Sequence, residues 1–387
     1  MTGGFSMTGL LETPYGTRDF LPAEATAKRT VEQRLIELFA GFGYEEVVTP
    51  TMEYLETLTT SSGRIIEPHL FKMFDRNNRT LALRHEMTTP IARLAVSRLK
   101  DASAPLKLSY LANVFRFRNN QPGRQCEFHQ AGVELLGVSN AFADAEIVAL
   151  AAQGLHVAGL ADFTICLGQV EFAAGLMENL SPETQSHVKS ALERHDVVAL
   201  NELDIDDALK KIPTLQGGRE LLTEARALAR NERSQRALDN LSEIYRLLEV
   251  YGVAEKISFD LGLIRDFEYY TGMVFEAYAP GVGYSLAGGG RYDNMLRDFG
   301  AARPATGFAL GIERILDARK FQGVADNSRV DKIYLSYAAG LEVAAIERAA
   351  ELRAEGTVVE VSLSPQSRAD AEKSCAERFC MELIYLQ

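Results

Sequence analysis

Nothing in these 387 residues approaches an apolar run long enough to span a bilayer, so no membrane-crossing helix is expected. The first ten residues, MTGGFSMTGL, lack a basic stretch followed by an apolar one, and no export signal is expected. Cysteine is scarce: Cys126, Cys166, Cys375 and Cys380 stand without metal-ligand spacing, which argues against a metal centre. Cys375 and Cys380, five apart, read as small buried thiols on a helix. A reducing, cytoplasmic compartment is therefore expected. No Walker-type loop, no HExxH and no Ser-His-Asp spacing is found, which removes three common routes to catalysis. Positive charge is also short, with 41 Lys and Arg against 53 Asp and Glu and a net charge of −12. Phosphate backbones are held by clustered Lys and Arg, so non-specific attachment to nucleic acid is disfavoured. No internal repeat or low-complexity tract is present.

What is there is an ordinary globular composition, 47% hydrophobic and 24% charged, long enough for two or three cores. From Pro22 to Phe42 the apolar residues Val31, Leu35, Leu38, Phe39 and Phe42 recur at helical spacing, and Gly41 and Gly43 mark the end. Tyr44 to Pro50 reads as a short strand closed by proline. Phe71–Phe74 and Thr80–Leu83 flank the polar turn 75–78 as a hairpin. Pro90 sits in the first turn of a further helix. Strands are expected over Lys107–Phe117 and Cys126–Leu136, with Asp144 capping an alanine-rich helix to about Val157. Residues 172–251 read as an all-helical insertion without strands. Strand patterns return at Lys256–Gly262 and Glu268–Ala279, and Gly307–Leu316 passes from strand to helix. After a polar linker at 322–330, alternating strands and helices from Lys332 to Leu386 predict a small parallel sheet. Domains are thus expected at 1–321 and 331–387.

Three polar groups interrupt otherwise apolar strands: Arg84-His85-Glu86-Met87-Thr88, then Arg116 with Gln130 and Glu134, then Arg265 with Tyr269 and Tyr270. Gln130 and Glu134 are four apart, so on a strand they share a face. A carboxylate on such a face needs a partner to offset desolvation, and a ligand ammonium or imidazole N–H would supply one. Each of these residues taken alone more commonly marks a satisfied ion pair than a site. His129 reads as a packed strand histidine rather than a base, and Gly288–Gly290 as a tight turn rather than a phosphate cradle.

Taken together, these segments resemble the signature blocks of the class II histidyl-tRNA synthetases. Residues 43–50 resemble motif 1, Leu108–Gln130 (LSYLANVFRFRNNQPGRQCEFHQ) motif 2 and Ala305–Leu316 (ATGFALGIERIL) motif 3. Leu263–Glu276 (LIRDFEYYTGMVFE) and Ala287–Asn294 (AGGGRYDN) are similar to the two histidine-specific segments. The resemblance implies an α+β fold with an antiparallel six-stranded sheet and flanking helices, used as a homodimer, plus a small truncated α/β domain of the anticodon-binding type. It places Glu86, Thr88 and Gln130 at the histidine amino group, and Glu134, Tyr269 and Tyr270 at the imidazole. Arg265 matches the family's histidine-specific arginine, Arg116 the α-phosphate arginine of motif 2, and Arg314 the ATP arginine of motif 3.

The departures bear on activity. Where synthetases carry Glu-Arg-Pro in the motif 2 loop, this chain has Arg118-Asn119-Asn120, and Cys126 replaces a later arginine. Losing charged contacts in a buried site commonly costs about 2–5 kcal/mol each. A kept histidine pocket with eroded ATP and tRNA machinery resembles the regulatory subunits of short-form ATP phosphoribosyltransferase. That resemblance implies no catalysis, no cofactor, no metal, no tRNA and no membrane. It also implies L-histidine as ligand and a hetero-octamer with the short catalytic subunit, in which histidine mediates feedback inhibition. An active histidyl-tRNA synthetase with a shortened C-terminal domain is the alternative, and a moonlighting adenylating enzyme a third reading.

Overall fold

The computed structural model describes residues 11–62, 64–117, 125–263, 269–324 and 331–387, and every count below refers to these. Contacts divide the chain into two units, Met1–Leu21 with Lys28–Ala325 and Pro22–Ala27 with Asp326–Gln387.

The first unit is built on one mixed sheet of nine strands. In chain order its strands, with those of a small side sheet, are β1 (Glu45–Glu46), β2 (Met52–Tyr54), β3 (Lys72–Phe74), β4 (Thr80–Leu83), β5 (Leu106–Phe115), β6 (Glu127–Leu136), β7 (Thr164–Gln169), β8 (Gln216–Gly217), β9 (Ile257–Asp260), β10 (Met273–Tyr278), β11 (Ala287–Arg291) and β12 (Ala305–Gly311). The large sheet runs β1-β5-β6-β12-β11-β10-β7-β9-β8. Its six central strands, β5 to β7 in that order, pair antiparallel throughout, while β1 joins one edge and β9 the other in parallel. This is the expected antiparallel six-stranded core. Strands β2, β4 and β3 form the side sheet, where Phe74 pairs with Thr80 across the expected turn.

Helices pack around the sheet because their apolar stripes are wide. In α1 (Pro22–Gly41) Val31, Leu35 and Phe39 are buried, and Glu32 is buried only because Lys28 and Arg29 pair with it. Next come α2 (Leu55–Ser62), α3 (Thr88–Arg98) and α4 (Ala141–Val157). Twelve residues of α4 are buried, so this alanine-rich helix is sheathed by the molecule. Its cap is Asn140, whose side chain accepts from Ala143 N at 2.9 Å, and not Asp144. Asp144 lies inside the helix, paired with Arg291 at 2.8 Å. A distant buried arginine claims the carboxylate that local sequence assigns to the helix end.

Between β7 and β9 the chain forms α5 (Val170–Leu176), α6 (Pro182–Glu193), α7 (Val197–Glu202), α8 (Asp207–Lys211), α9 (Leu221–Leu228) and α10 (Glu232–Val250). The all-helical expectation here is corrected by β8, whose two residues pair with β9 at the sheet edge. The unit is completed by α11 (Met295–Asp298) and α12 (Ile312–Phe321).

In the second unit β13 (Lys332–Tyr337), α13 (Glu342–Ala354), β14 (Val358–Val361), α14 (Arg368–Glu377) and β15 (Glu382–Leu386) follow the predicted alternation. The strands form a parallel sheet in the order β14-β13-β15. Its core is Leu335, Tyr337, Ala345, Ala349, Leu352 and Val359. Cys375 is on α14, whereas Cys380 lies beyond its end, which corrects the expectation of two helical thiols.

Candidate functional site

A cavity of about 390 Å³ opens on the central sheet, a size suited to a small molecule. Its floor is set by strand register. Leu108, Glu134, Gly307, Gly290 and Val274 pair across β5, β6, β12, β11 and β10 as one row. A Cβ on Gly307 would collide with the Glu134 carboxylate and the Val133 carbonyl, and one on Gly290 would lie 2.9 Å from the Tyr270 ring. The glycines make room for these two side chains. Gly288–Gly290 is accordingly the middle of a strand, not the tight turn expected from sequence, and Gly288 and Gly289 line the cavity.

Along β6 burial deepens from half-buried Gln130 to Glu134, which is 2% exposed. Both side chains are on the same face, as their spacing required. Gln130 lines the cavity, and its Oε1 is buried with no hydrogen-bond partner among the described residues. A buried acceptor left unmade costs about 1–3 kcal/mol, which a ligand N–H would recover. Glu134 lies beneath the lining rather than in it. Thr88 Oγ1 donates to its Oε1 at 2.8 Å, and the Tyr292 hydroxyl donates to its Oε2. Burial pushes the Glu134 carboxyl up to about 8; the Tyr292 and Thr88 hydrogen bonds oppose this, and the Glu86 carboxylate adds to it.

Glu86 sits at the start of α3, where its carboxylate accepts from Thr88 N at 2.5 Å and Thr89 N at 3.1 Å. Carboxylate at a helix N-terminus is favourable on its own account. The same group also lines the cavity, so the helix holds an acidic face toward any ligand. Tyr269 stacks on Tyr292 with ring centroids 5.5 Å apart and meets Tyr270 edge-on at 4.8 Å. Burial raises the Tyr269 and Tyr292 hydroxyls well above the ordinary phenol value, so both are donors at neutral pH.

Two arginines also line the cavity. Arg116 follows β5 and donates from Nε to the His85 carbonyl at 2.8 Å, with its guanidinium 5.4 Å from the Phe128 ring. Arg314 at the start of α12 donates to Ser285 O at 2.5 Å and lies 5.3 Å from the Tyr284 ring. The cavity therefore brings a carboxylate, a buried amide oxygen and tyrosines together with two arginines in one lining.

Of the residues picked out from sequence, Glu86, Thr88, Arg116, Gln130, Tyr269, Tyr270 and Arg314 line this one cavity, and Glu134 supports it from below. Arg265 lies outside the described residues. His129 is engaged by Glu313, at 2.7 Å from Nδ1 and 2.8 Å from its backbone N–H, in keeping with a packed strand histidine. Arg84 is likewise structural, donating to Thr49 O and Asn113 O at 2.8 and 2.9 Å. Tyr292, Tyr110 and Gly307 belong to the site and were missed. Tyr292 stood in the AGGGRYDN segment, but its contact with Glu134 spans 158 residues and leaves no local trace.

Behind the lining, Arg291 donates to Asp144 and Asp293, Asp293 N–H donates to Thr271 Oγ1 at 2.9 Å, and Thr271 N–H donates to Arg291 O at 2.8 Å. This network ties the Tyr269–Tyr270 segment to Tyr292. Among the described residues no group of three or more His, Cys, Asp or Glu is placed to hold a metal ion, and no helix is long and apolar enough to cross a membrane.

The sequence profile of the family described as histidyl-tRNA synthetase matches residues 16–315. The ATP phosphoribosyltransferase regulatory subunit of Moorella thermoacetica is 44% identical over 379 residues, covering 95% of this chain and 96% of that protein. That of Desulforamulus reducens is 41% identical, covering 92% of each. A solved ATP phosphoribosyltransferase regulatory subunit/histidyl-tRNA synthetase from Bacillus halodurans superposes with a TM-score of 0.87 at 34% identity, covering 98% of this chain and 99% of its own. Histidyl-tRNA synthetase from Nostoc sp. PCC 7120, at 19% identity and a TM-score of 0.83, shares the fold. The chain thus belongs to the ATP phosphoribosyltransferase regulatory subunit family, on a class II histidyl-tRNA synthetase fold.

Proposed function

We propose that this chain is the non-catalytic regulatory subunit of short-form ATP phosphoribosyltransferase, and that L-histidine bound in this cavity mediates feedback inhibition. Membership of the family supports a regulatory role in histidine biosynthesis. The observation that carries the ligand is the unpartnered Gln130 Oε1 beside Glu86 in a cavity of amino-acid size. Glu86, Thr88 and Gln130 take the ammonium group. Glu134, Tyr269 and Tyr270 take the imidazole, with Glu134 reached past Thr88. Arg116 takes the carboxylate, and Arg265 is assigned to histidine binding by its match to the family's histidine-specific arginine.

The proposed assembly is a homodimer of this chain docked to the short catalytic subunit in a hetero-octamer. Histidine inhibits only insofar as it binds one arrangement of that complex better than another. Reconstitution tests this. Adding the chain to its short catalytic subunit is expected to raise phosphoribosyl transfer, and histidine to suppress it. Glu86→Ala combined with Gln130→Ala is expected to keep activation and lose suppression. Histidine inhibition unchanged in that variant would place the inhibitory site elsewhere.

A second reading, an active synthetase or other adenylating enzyme, is favoured by one observation: Arg116 and Arg314 both line the cavity. It requires histidine-dependent exchange of pyrophosphate into ATP.

A further inference from the structure

Two cysteines that the regulatory reading leaves unused meet at the end of α14. There Phe379 N–H donates to Ala376 O at 3.1 Å, and Cys380 N–H donates to Cys375 O at 3.0 Å. This pair of bonds defines a helix-terminating loop that sets the third residue from the helix end against the second residue beyond it. Helices α1, α10 and α13 end the same way, with Phe39 and Tyr44, Leu248 and Val253, and Leu352 and Thr357 in the two contact positions. In those three the left-handed residue is Gly43, Gly252 or Gly356. In α14 both contact positions are cysteine, and the left-handed residue is Phe379 at φ 55°.

Cys375 Sγ lies 3.9 Å from Cys380 O, and Cys380 Sγ lies 3.9 Å from Arg378 O, so both thiols sit within the turn of this loop. Both are free; Cys375 is 9% exposed and Cys380 is half-buried, so a small reagent reaches Cys380 first. The loop is anchored to β13 by Met381 N–H donating to Lys332 O at 2.9 Å, and Glu360 pairs with both Lys332 and Arg378. The helix-ending hydrogen bonds have already closed the short chain between the sulfurs, so joining them demands little further ordering.

We propose that Cys375 and Cys380 are a modification site, a dithiol that closes to an intramolecular disulfide with a low-molecular-weight disulfide as oxidant. The Cys380 thiolate attacks one sulfur of the oxidant, forming a mixed disulfide and expelling a thiolate that takes up a proton. The Cys375 thiolate then attacks Cys380 Sγ, forming the internal bond and expelling the second thiolate, which is protonated in turn. Two protein thiols are oxidised to one disulfide, and the oxidant is reduced to two thiols. Burial raises the Cys380 thiol while the Lys332 ammonium lowers it, so closure runs faster on the alkaline side of neutrality.

The test uses the reduced full-length chain incubated with oxidised glutathione, quenched with an alkylating agent and digested with trypsin. Arg378 lies between the two cysteines, so closure links peptide 374–378 to peptide 379–387, a pair that separates on reduction. The linked pair is expected in the wild type, with Cys126 and Cys166 alkylated after unfolding. Cys375→Ser is expected to stop at a persistent glutathione adduct on Cys380, and Cys380→Ser to show no adduct at Cys375. A wild-type chain that keeps both thiols, or keeps glutathione on Cys380, in a buffer that oxidises the unfolded chain overturns the proposal. Circular dichroism of both variants guards against misfolding, and linkage in the folded wild type decides the matter without them.

Discussion

Glu134 is 2% exposed, and its carboxyl is pushed up to about 8 by burial and by Glu86, against the pull of Tyr292 and Thr88. In an unfolded chain a glutamate titrates near 4.3. Between those values the folded state keeps a proton that the unfolded state has lost. Stability is therefore full below about pH 4.3 and declines as pH rises through about 8. Glu134→Gln removes this titration, so the variant is expected to gain on the wild type in urea unfolding as pH is raised, by on the order of 3–5 kcal/mol above about pH 9. Parallel pH curves for the two proteins would contradict a buried neutral Glu134.

On the proposed reading, the same group would give histidine binding a pH signature. A complex that shares one proton between Glu134 and the ligand imidazole forms without net proton exchange between about pH 6.5 and 8. Below that window a proton must leave and above it one must be gained, so calorimetric affinity is expected to fall on both sides. In Glu134→Gln the upper fall is expected to weaken. Gly307 belongs to this scale too. Gly307→Ala drives a methyl into the Glu134 carboxylate and a backbone carbonyl that cannot swing away. It is expected to cost about 1–3 kcal/mol in thermal unfolding and to abolish histidine binding.

At the scale of elements, α4 is fixed to the end of β11 by the buried Asp144–Arg291 pair, with Arg291 also bonded to Asp293 and to Val138 O at 3.0 Å. Burial raises the Asp144 carboxyl, and Arg291 pulls it back toward the charged form. Asp144→Ala leaves the guanidinium buried with part of its shell gone. A loss of about 3 kcal/mol in denaturant unfolding is expected, with part regained in Asp144→Ala/Arg291→Met. A loss below ~1 kcal/mol would mean that Asp293 alone satisfies Arg291.

What the sequence disclosed divides along this line. Helix α1, the β3–β4 hairpin and the β13–β15 unit were legible because hydrophobic period and turn residues are local signals. Asp144 was read as a cap because its true partner lies 147 residues away. The glycine run was read as a turn because a row of glycines across β11 and β12 has meaning only once the strands are in register. Strand β7 was not anticipated, and β8, at two residues, is too short to carry a period. Glu86, Thr88, Arg116, Gln130, Tyr269 and Tyr270 were legible as a set only through resemblance to the family; their individual chemistry fits ion pairs and core packing equally well.

For the whole molecule, the cavity combines carboxyl, amide and tyrosine groups with two arginines, on a sheet shared with the synthetases. The claim is that this site recognises histidine without activating it. Calorimetric titration of the purified chain with histidine and with ATP, beside pyrophosphate exchange, tests that most directly. Saturable histidine binding that is lost on Glu134→Ala, with no exchange above background, is the expected result. Histidine-dependent exchange at an enzymatic rate would contradict the account and make this chain a working adenylating enzyme.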